Sequence, residues 1–158
     1  MIDLLKASRF FRDFTDEELE AISKIGQLVS LKAGERIFEA ESPAEYFYII
    51  SEGAVEIRFE LTYYNVTKEI TLERRVKGDA FGSSALTKPN VYTLSAWTAQ
   101  DTKLLKFKAS EINKICHENA HFGFIMMNNI SEIIGERFAS IQRILIDVIQ
   151  QSLKDKEV

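Results

Sequence analysis

A chain of 158 residues, 46% hydrophobic and 28% charged, with eleven Phe, five Tyr and one Trp, has the bulk for one ordinary folded domain, which excludes a disordered chain. Its net charge of -4 argues against a non-specific nucleic-acid binder, which needs a basic footprint. The single Cys116 excludes an internal disulfide framework and fits a reducing cytosol, no apolar run nears the roughly 20 residues that span a bilayer, and no secretory signal is visible, so a cytoplasmic protein with no membrane partner is expected.

Residues 3–14 mix Leu4, Leu5, Phe10, Phe11 and Phe14 with charges and read as a short helix followed by an aromatic turn. Thr15 opens a second helix, because a Thr with a Glu three residues on (Glu18) can exchange side-chain and backbone hydrogen bonds in a capping box. Leu19, Ile22 and Ile25 give that helix one apolar face, and Gly26 is placed to end it. From Gln27 the texture changes to short aromatic and β-branched runs: residues 28–31, 36–38, 46–50, 54–59, 91–98 and 103–107. Ser51-Glu52-Gly53 reads as a turn, and a second hairpin is expected to join residues 59–64 to 69–76 through Asn65-Val66-Thr67. Many short strands at close spacing predict a sandwich or roll, not a parallel sheet.

After Lys108 the helical period returns. Residues 109–118 read as one helix with Ser110 as its cap, and Gly123 marks a break near the start of a helix running from about His121 to Leu153. Met127, Ile130, Ile134, Phe138, Ile141, Leu145 and Val148 step by three and four, which is the seam of a coiled coil. About 30 residues of helix span some 45 Å, longer than a small domain needs. The first half is therefore expected across its own roll, and the second, from Phe138 on, against a two-fold copy in a homodimer. Residues 154–158, a polar tail, are the one stretch expected to lack structure.

No catalytic constellation is visible. His117 and His121 stand four apart with Cys116 adjacent, so one helix face could show two imidazoles, but the chain has no other His to complete a metal site. The two read as a structural or surface pair, with no metal. Ser83 and Ser84 have no base near them in sequence, and no Gly-rich loop leads to Lys-Ser or Lys-Thr. The expectation is that the chain is not an enzyme. Residues 77–86, KGDAFGSSAL, leave a strand and turn on two glycines into small residues. Such a turn either aims backbone N–H groups into a concavity as an anion nest or is a tight turn with a helical cap.

The order of segments resembles the cyclic-nucleotide-binding domain superfamily of catabolite activators and kinase regulatory subunits, from about Leu4 to the last helix. The resemblance rests on Phe10-Phe11 with the entry helix, on KAGERIF at 32–38, on YFYIISEGAV at 46–55, on Gly78-Asp79-Ala80-Phe81-Gly82 as the entry to a phosphate-binding cassette, and on DTKLLKF at 101–107 as the last roll strand. It implies a mainly β fold with flanking helices: an eight-stranded double-stranded β-helix, or jelly-roll-like β-roll, with N-terminal helices over residues 1–120. A long C-terminal dimerisation helix, 121–158, belongs to the same domain. It also implies a non-catalytic regulatory or sensor module.

Two cassette positions depart from what the resemblance implies. A Glu that accepts the ribose 2′-hydroxyl is implied after the glycine at Gly82, and the chain has Ser83. An Arg that pairs with the cyclic phosphate is implied nine residues before Asp101, and the chain has Tyr92. Losing both contacts costs about 3–5 kcal/mol, or roughly two to four powers of ten in affinity. Glu41 also replaces a usual glycine, which predicts an altered turn after the second strand.

The expected site is thus an altered ligand pocket made of Gly82, Ser83, Ser84, Ala85, Tyr92 and Thr93. Gly82 and the backbone of Ser84 and Ala85 would supply N–H donors, and Ser83, Tyr92 and Thr93 would supply hydroxyls. The equal alternative is that Tyr92 fills the vacated pocket. No permanent cofactor is expected, and the open ligand is cAMP, cGMP or another small anion, with Lys88 as a stand-in for the arginine. Two further readings are a true cAMP or cGMP receptor through a rearranged cassette, and the effector part of a catabolite-activator-like transcription regulator. With no room for a helix-turn-helix after Leu153, no direct DNA binding is expected from this chain.

Overall fold

The computed structural model describes residues 1–156, so the last two positions of the expected 121–158 helix lie outside the described residues. The chain opens with α1 (Ile2–Lys6), a 3-10 turn (Arg9–Phe11) and α2 (Asp16–Ser23). Eight strands follow: β1 (Gly26–Leu31), β2 (Arg36–Phe38), β3 (Tyr46–Glu52), β4 (Ala54–Tyr63), β5 (Val66–Val76), β6 (Ala80–Phe81), β7 (Ser95–Thr98) and β8 (Thr102–Lys108). A second 3-10 turn (Ser83–Leu86) lies between β6 and β7, and α3 (Ala109–Glu118) and α4 (Ala120–Lys156) close the chain. The strands form two antiparallel sheets, β1-β8-β3-β6 and β2-β7-β4-β5, the mainly β roll with flanking helices that the strand spacing predicts.

Alternation along the strands builds two cores at once. Tyr48 and Ile50 of β3 point into the roll, where they meet Val55, Ile57, Phe81, Ala96 and Leu104. Phe47 and Ile49 of the same strand, with Leu105 and Phe107 of β8, face outward onto the helices. There Phe10, Phe11, Phe14, Leu19, Ile22, Ile112, Phe122 and Met126 cover them. The Phe10 and Phe11 rings meet edge to face at 5.0 Å, a favoured aromatic geometry.

The Thr15 capping box is present in full. Thr15 Oγ1 accepts from the Glu18 N–H at 3.2 Å, and Glu18 Oε2 accepts from the Thr15 N–H at 3.0 Å. The other carboxylate oxygen contacts His121 Nδ1 at 2.7 Å and accepts from Asn119 Nδ2 at 3.4 Å. The residue that caps α2 therefore also pins it to the α3–α4 corner. Burial pushes the Glu18 carboxyl up, but its bonds to His121 and the Thr15 backbone together hold it below the usual carboxylate range. His117 instead sets Nδ1 against the Asn113 carbonyl of its own helix at 2.7 Å, so the two imidazoles have separate partners.

Several boundaries differ from expectation, each for a contact distant in sequence or a matter of turn geometry. Gly26 does not end α2, which stops at Ser23; it opens β1, where a Cβ would come within 2.8 Å of the Phe107 ring. The β4–β5 hairpin turns on Tyr64 and Asn65, not on 65–67, with Tyr63 paired to Val66. Both turn residues have positive φ, as a two-residue turn matched to strand twist requires. The expected 91–98 strand shortens to Ser95–Thr98, because Val91 pairs with Pro43 in a single bridge.

Ser110 lies inside α3, which has no side-chain cap. The break between α3 and α4 falls at Asn119, whose Oδ1 accepts from the Phe122 N–H at 3.0 Å and caps α4. Gly123 sits within α4, where a Cβ would stand 3.0 Å from the Cys116 carbonyl; it permits close helix packing. The helix includes 154–156, part of the tail expected to lack structure, and places Lys154 and Lys156 in its last turn, where the helix dipole favours cations.

Along α4, Phe122, Met126, Asn129, Ile130 and Ile133 are buried, while every described residue from 141 on is exposed. Among the described residues, no helix is long and apolar enough to cross a membrane.

Candidate functional site

β6 ends at Phe81, and Gly82 reverses the chain with φ at 80°. A Cβ there would stand 3.0 Å from the Tyr46 carbonyl and 3.2 Å from the Tyr48 ring, so both backbone and space demand glycine. In the turn that follows, the Ala85 N–H donates to the Gly82 carbonyl at 3.0 Å. Asn90 Nδ2 ties the end of the loop back to the Ala85 carbonyl at 2.9 Å.

On its other side the loop is laced to residues 41–44. The Glu41 N–H donates to the Tyr92 carbonyl at 2.7 Å, the Tyr92 N–H to the Ser42 carbonyl at 3.0 Å, and the Ala44 N–H to the Asn90 carbonyl at 2.8 Å. Glu41 adopts φ of 66°, so it keeps the left-handed backbone a glycine would have. The turn is not altered in hand, at a strain of about 1–2 kcal/mol.

Gly82, Ser83, Ser84, Tyr92 and Thr93 come together with Phe38, Ile57, Leu94 and Arg137 around a cavity of about 10 Å³. That is room for about one water, against the roughly 300 Å³ or more of an ordinary small-molecule site. The Tyr92 side chain occupies part of this space, beside Phe38, Ile57, Leu94 and Arg137. Its ring, 4% exposed, stacks on Phe38 at 3.7 Å and 6°. Its hydroxyl donates to the Tyr46 carbonyl at 2.7 Å and accepts from the Tyr46 N–H at 3.2 Å, satisfying both backbone groups of the first β3 residue. Behind it Tyr48 stacks on Phe81 at 5.0 Å. Burial pushes both phenols up, and for Tyr48 the neighbouring Tyr92 adds to it, so both stay neutral across the physiological range.

Five of the six expected residues thus line one cavity. Ala85 does not: it is buried in the core beneath the helices, and its N–H is spent on Gly82, so it is not the donor expected. Lys88 is exposed and does not line the cavity. Arg137 is the residue that local sequence signals could not show. It reaches the cavity wall from α4, and its Nε and Nη2 donate to the two Glu73 oxygens at 2.9 and 3.4 Å. Arg75 donates to the same carboxylate at 2.7 and 3.0 Å. Burial pushes the Glu73 carboxyl up, and Arg137 with Arg75 outweighs that and holds it below the usual range. Arg137 and Glu73 lie 64 positions apart, and no spacing rule links a strand carboxylate to a helix arginine at that separation.

A family model described as cyclic nucleotide-binding domain matches residues 28–119, from β1 through the end of α3. The chain belongs to the cyclic nucleotide-binding domain family. Among solved structures, a protein described as cyclic nucleotide-binding from Geobacter metallireducens is 29% identical, with TM-score 0.72 over 86% of this chain and 96% of that one. A cyclic nucleotide-binding domain from Methylobacillus flagellatus superposes at TM-score 0.77 with 16% identity, over 92% of this chain and 81% of that one. The sensor domain of the transcriptional regulator DNR from Pseudomonas aeruginosa does so at 0.67 with 20% identity, over 87% and 95%. At these identities the last two speak to the fold alone. No curated protein matches the chain. Of the residues lining the cavity of this cyclic nucleotide-binding domain, Arg137 alone carries a charge, and it is already held by Glu73.

Proposed function

We propose that this chain is a non-catalytic regulatory module of the cyclic nucleotide-binding family whose ligand compartment Tyr92 keeps closed. The observation that carries this is the Tyr92 phenol, stacked on Phe38 and bonded to both backbone groups of Tyr46, in a compartment of about 10 Å³. An inserted nucleotide would have to displace that ring and find its own partner for the phosphate. In this reading the roll, over residues 1–120, is the body, and α4 is the output element. The exposed seam of α4 pairs with a second copy to make a cytoplasmic homodimer. The N-terminal domain of a Streptomyces coelicolor transcriptional regulator shares the fold at TM-score 0.70, which supports an effector role joined to an output.

Calorimetry with cAMP and cGMP tests the closed compartment. The wild-type chain is expected to give no binding heat at millimolar nucleotide. The Ser83→Glu, Tyr92→Arg double variant is expected to gain roughly two to four powers of ten in affinity. Micromolar binding by the wild-type chain would overturn the proposal.

A receptor reading has one observation behind it. Arg137 stands at the cavity wall, and if it left Glu73 to meet a phosphate, Arg75 would still neutralise that carboxylate. Under that reading the wild-type chain binds nucleotide and Arg137→Ala abolishes the binding.

A further inference from the structure

The chain carries a net charge of -4, yet arginines gather at one place on it. An open groove of about 490 Å³ between β5 and α4 is lined by Arg74, Arg75, Arg137 and Arg143 against Glu73 and Glu136. Four guanidiniums and two carboxylates leave an excess of two positive charges. Glu136 is drawn aside toward Arg9 at 3.5 Å.

Glu73 aims the arginines it touches as much as it neutralises them. Both Arg75 and Arg137 put Nε and Nη2 on its carboxylate, so two planar forks from different elements share one anchor. The side chains of Arg75, Glu73 and Arg137 are 14%, 17% and 22% exposed, so the forks are held rigid and partly desolvated. Each guanidinium keeps its remaining N–H donors. Arg74 comes no nearer than 3.9 Å to its carboxylate neighbour Glu56, and Arg143 makes no ion pair among the described residues. Pre-positioned guanidiniums with spare donors suit phosphoryl oxygens, which they bind in bidentate fashion. Ser140 lines the same groove.

We propose that this groove, which borders the roll cavity at Arg137, binds a phosphorylated small molecule carrying about two negative charges. Two charges match the excess on the lining, and the volume admits more than a bare phosphate. At about 100° per residue, Arg143 lies roughly 140–160° around α4 from Phe138 and Leu145, so a partner on the seam leaves the groove open. A ligand there bridges β5 to α4 just beyond Ile133, the last buried residue of the helix, and so ties occupancy to where the free half of α4 begins.

The test is an NMR titration of the full chain with inorganic pyrophosphate at low salt, following backbone amides and arginine Nε–H signals. Saturable shifts at Arg75 and Arg143, which line the groove and not the roll cavity, with a dissociation constant below about 1 mM, are expected. Arg143→Glu is expected to weaken binding about tenfold or more. Arg36→Glu, on β2 at the opposite edge of the same sheet, is expected to leave it unchanged. Among the described residues Arg143 makes no hydrogen bond or ion pair that folding needs, so its variant remains a fair test. No saturable shift up to about 10 mM overturns the proposal, as does equal weakening by both variants, which marks a general charge effect. Shifts confined to Gly82, Ser84 and Thr93 overturn it too, by placing the anion in the roll cavity.

Discussion

Between residues 122 and 133, α4 sinks Phe122, Met126, Ile130 and Ile133 into the core shared with α2, α3 and the outer faces of β3 and β8. From residue 141 on, the same helix leaves Ile141, Ile144, Leu145, Ile146, Val148, Ile149 and Leu153 about half exposed. The residue types match; the surroundings do not. A helix of 37 residues runs about 55 Å, and the roll covers only its first part. Burial here follows reach, not hydrophobicity. Full burial of a large apolar side chain contributes about 1.5–3 kcal/mol, so each one left half exposed forgoes about half of that, which a second copy would supply. The seam changes with it: Met127, Ile130, Ile134 and Phe138 step 3-4-4, and Phe138, Ile141, Leu145 and Val148 step 3-4-3. Of the first four only Ile130 is buried, while Met127, Ile134 and Phe138 are exposed, so the helix meets the roll through Phe122, Met126, Ile130 and Ile133 and not through the expected seam; the second spacing suits a left-handed coiled coil.

The contrast can be broken most forcefully in the buried half. Phe122→Ala removes a fully buried ring, and a loss of about 3–5 kcal/mol is expected in urea unfolding. In the free half, Ile141→Lys with Leu145→Lys is expected to leave the roll folded by circular dichroism and to give a monomer in analytical ultracentrifugation. A variant that stays dimeric there would sink the seam as the interface.

At the junction between the halves, Arg137→Ala is expected to cost about 1–3 kcal/mol at neutral pH. The sign of its pH dependence follows from Glu73. Burial pushes that carboxyl up, and Arg137 and Arg75 hold it below the ordinary 4.5. Its contribution is fully present above that value and is lost as pH falls through the lower folded value. The stability gap between wild type and Arg137→Ala should therefore narrow as pH drops below about 4.5.

The smallest effect is expected at Gly135, where an added Cβ meets nothing within 4 Å. Gly135→Ala should raise the melting temperature through a gain of about 0.5–1 kcal/mol in helix propensity. A fall instead, with a weaker dimer, would place a partner backbone against that glycine.

Much of the architecture was legible because its signals are local. Thr15 and Glu18 sit three residues apart, so the capping box could be read directly, and the strand runs and the α4 period are properties of neighbours on one element. The misplaced boundaries were long-range. Gly26 answers to the Phe107 ring, and Gly123 answers to Cys116 on the preceding helix. At the candidate site, the resemblance carried by the order of segments implied a cassette with Ser83 and Tyr92 as departures. It left open whether Tyr92 lines an empty pocket or fills it, since that depends on Phe38 and on the Tyr46 backbone, 46 positions away.

By itself, then, the sequence determined the family and the order of elements, because each is written in residue type and short spacing. Tertiary structure alone decided what stands at the candidate site and beside it. Tyr92 closes onto Phe38 and Tyr46, Glu73 gathers Arg75 and Arg137, and α4 outruns the roll that buries its first half. These outcomes depend on which distant residues the strand register and the helix path bring within about 4 Å, the range over which stacking and hydrogen bonds act.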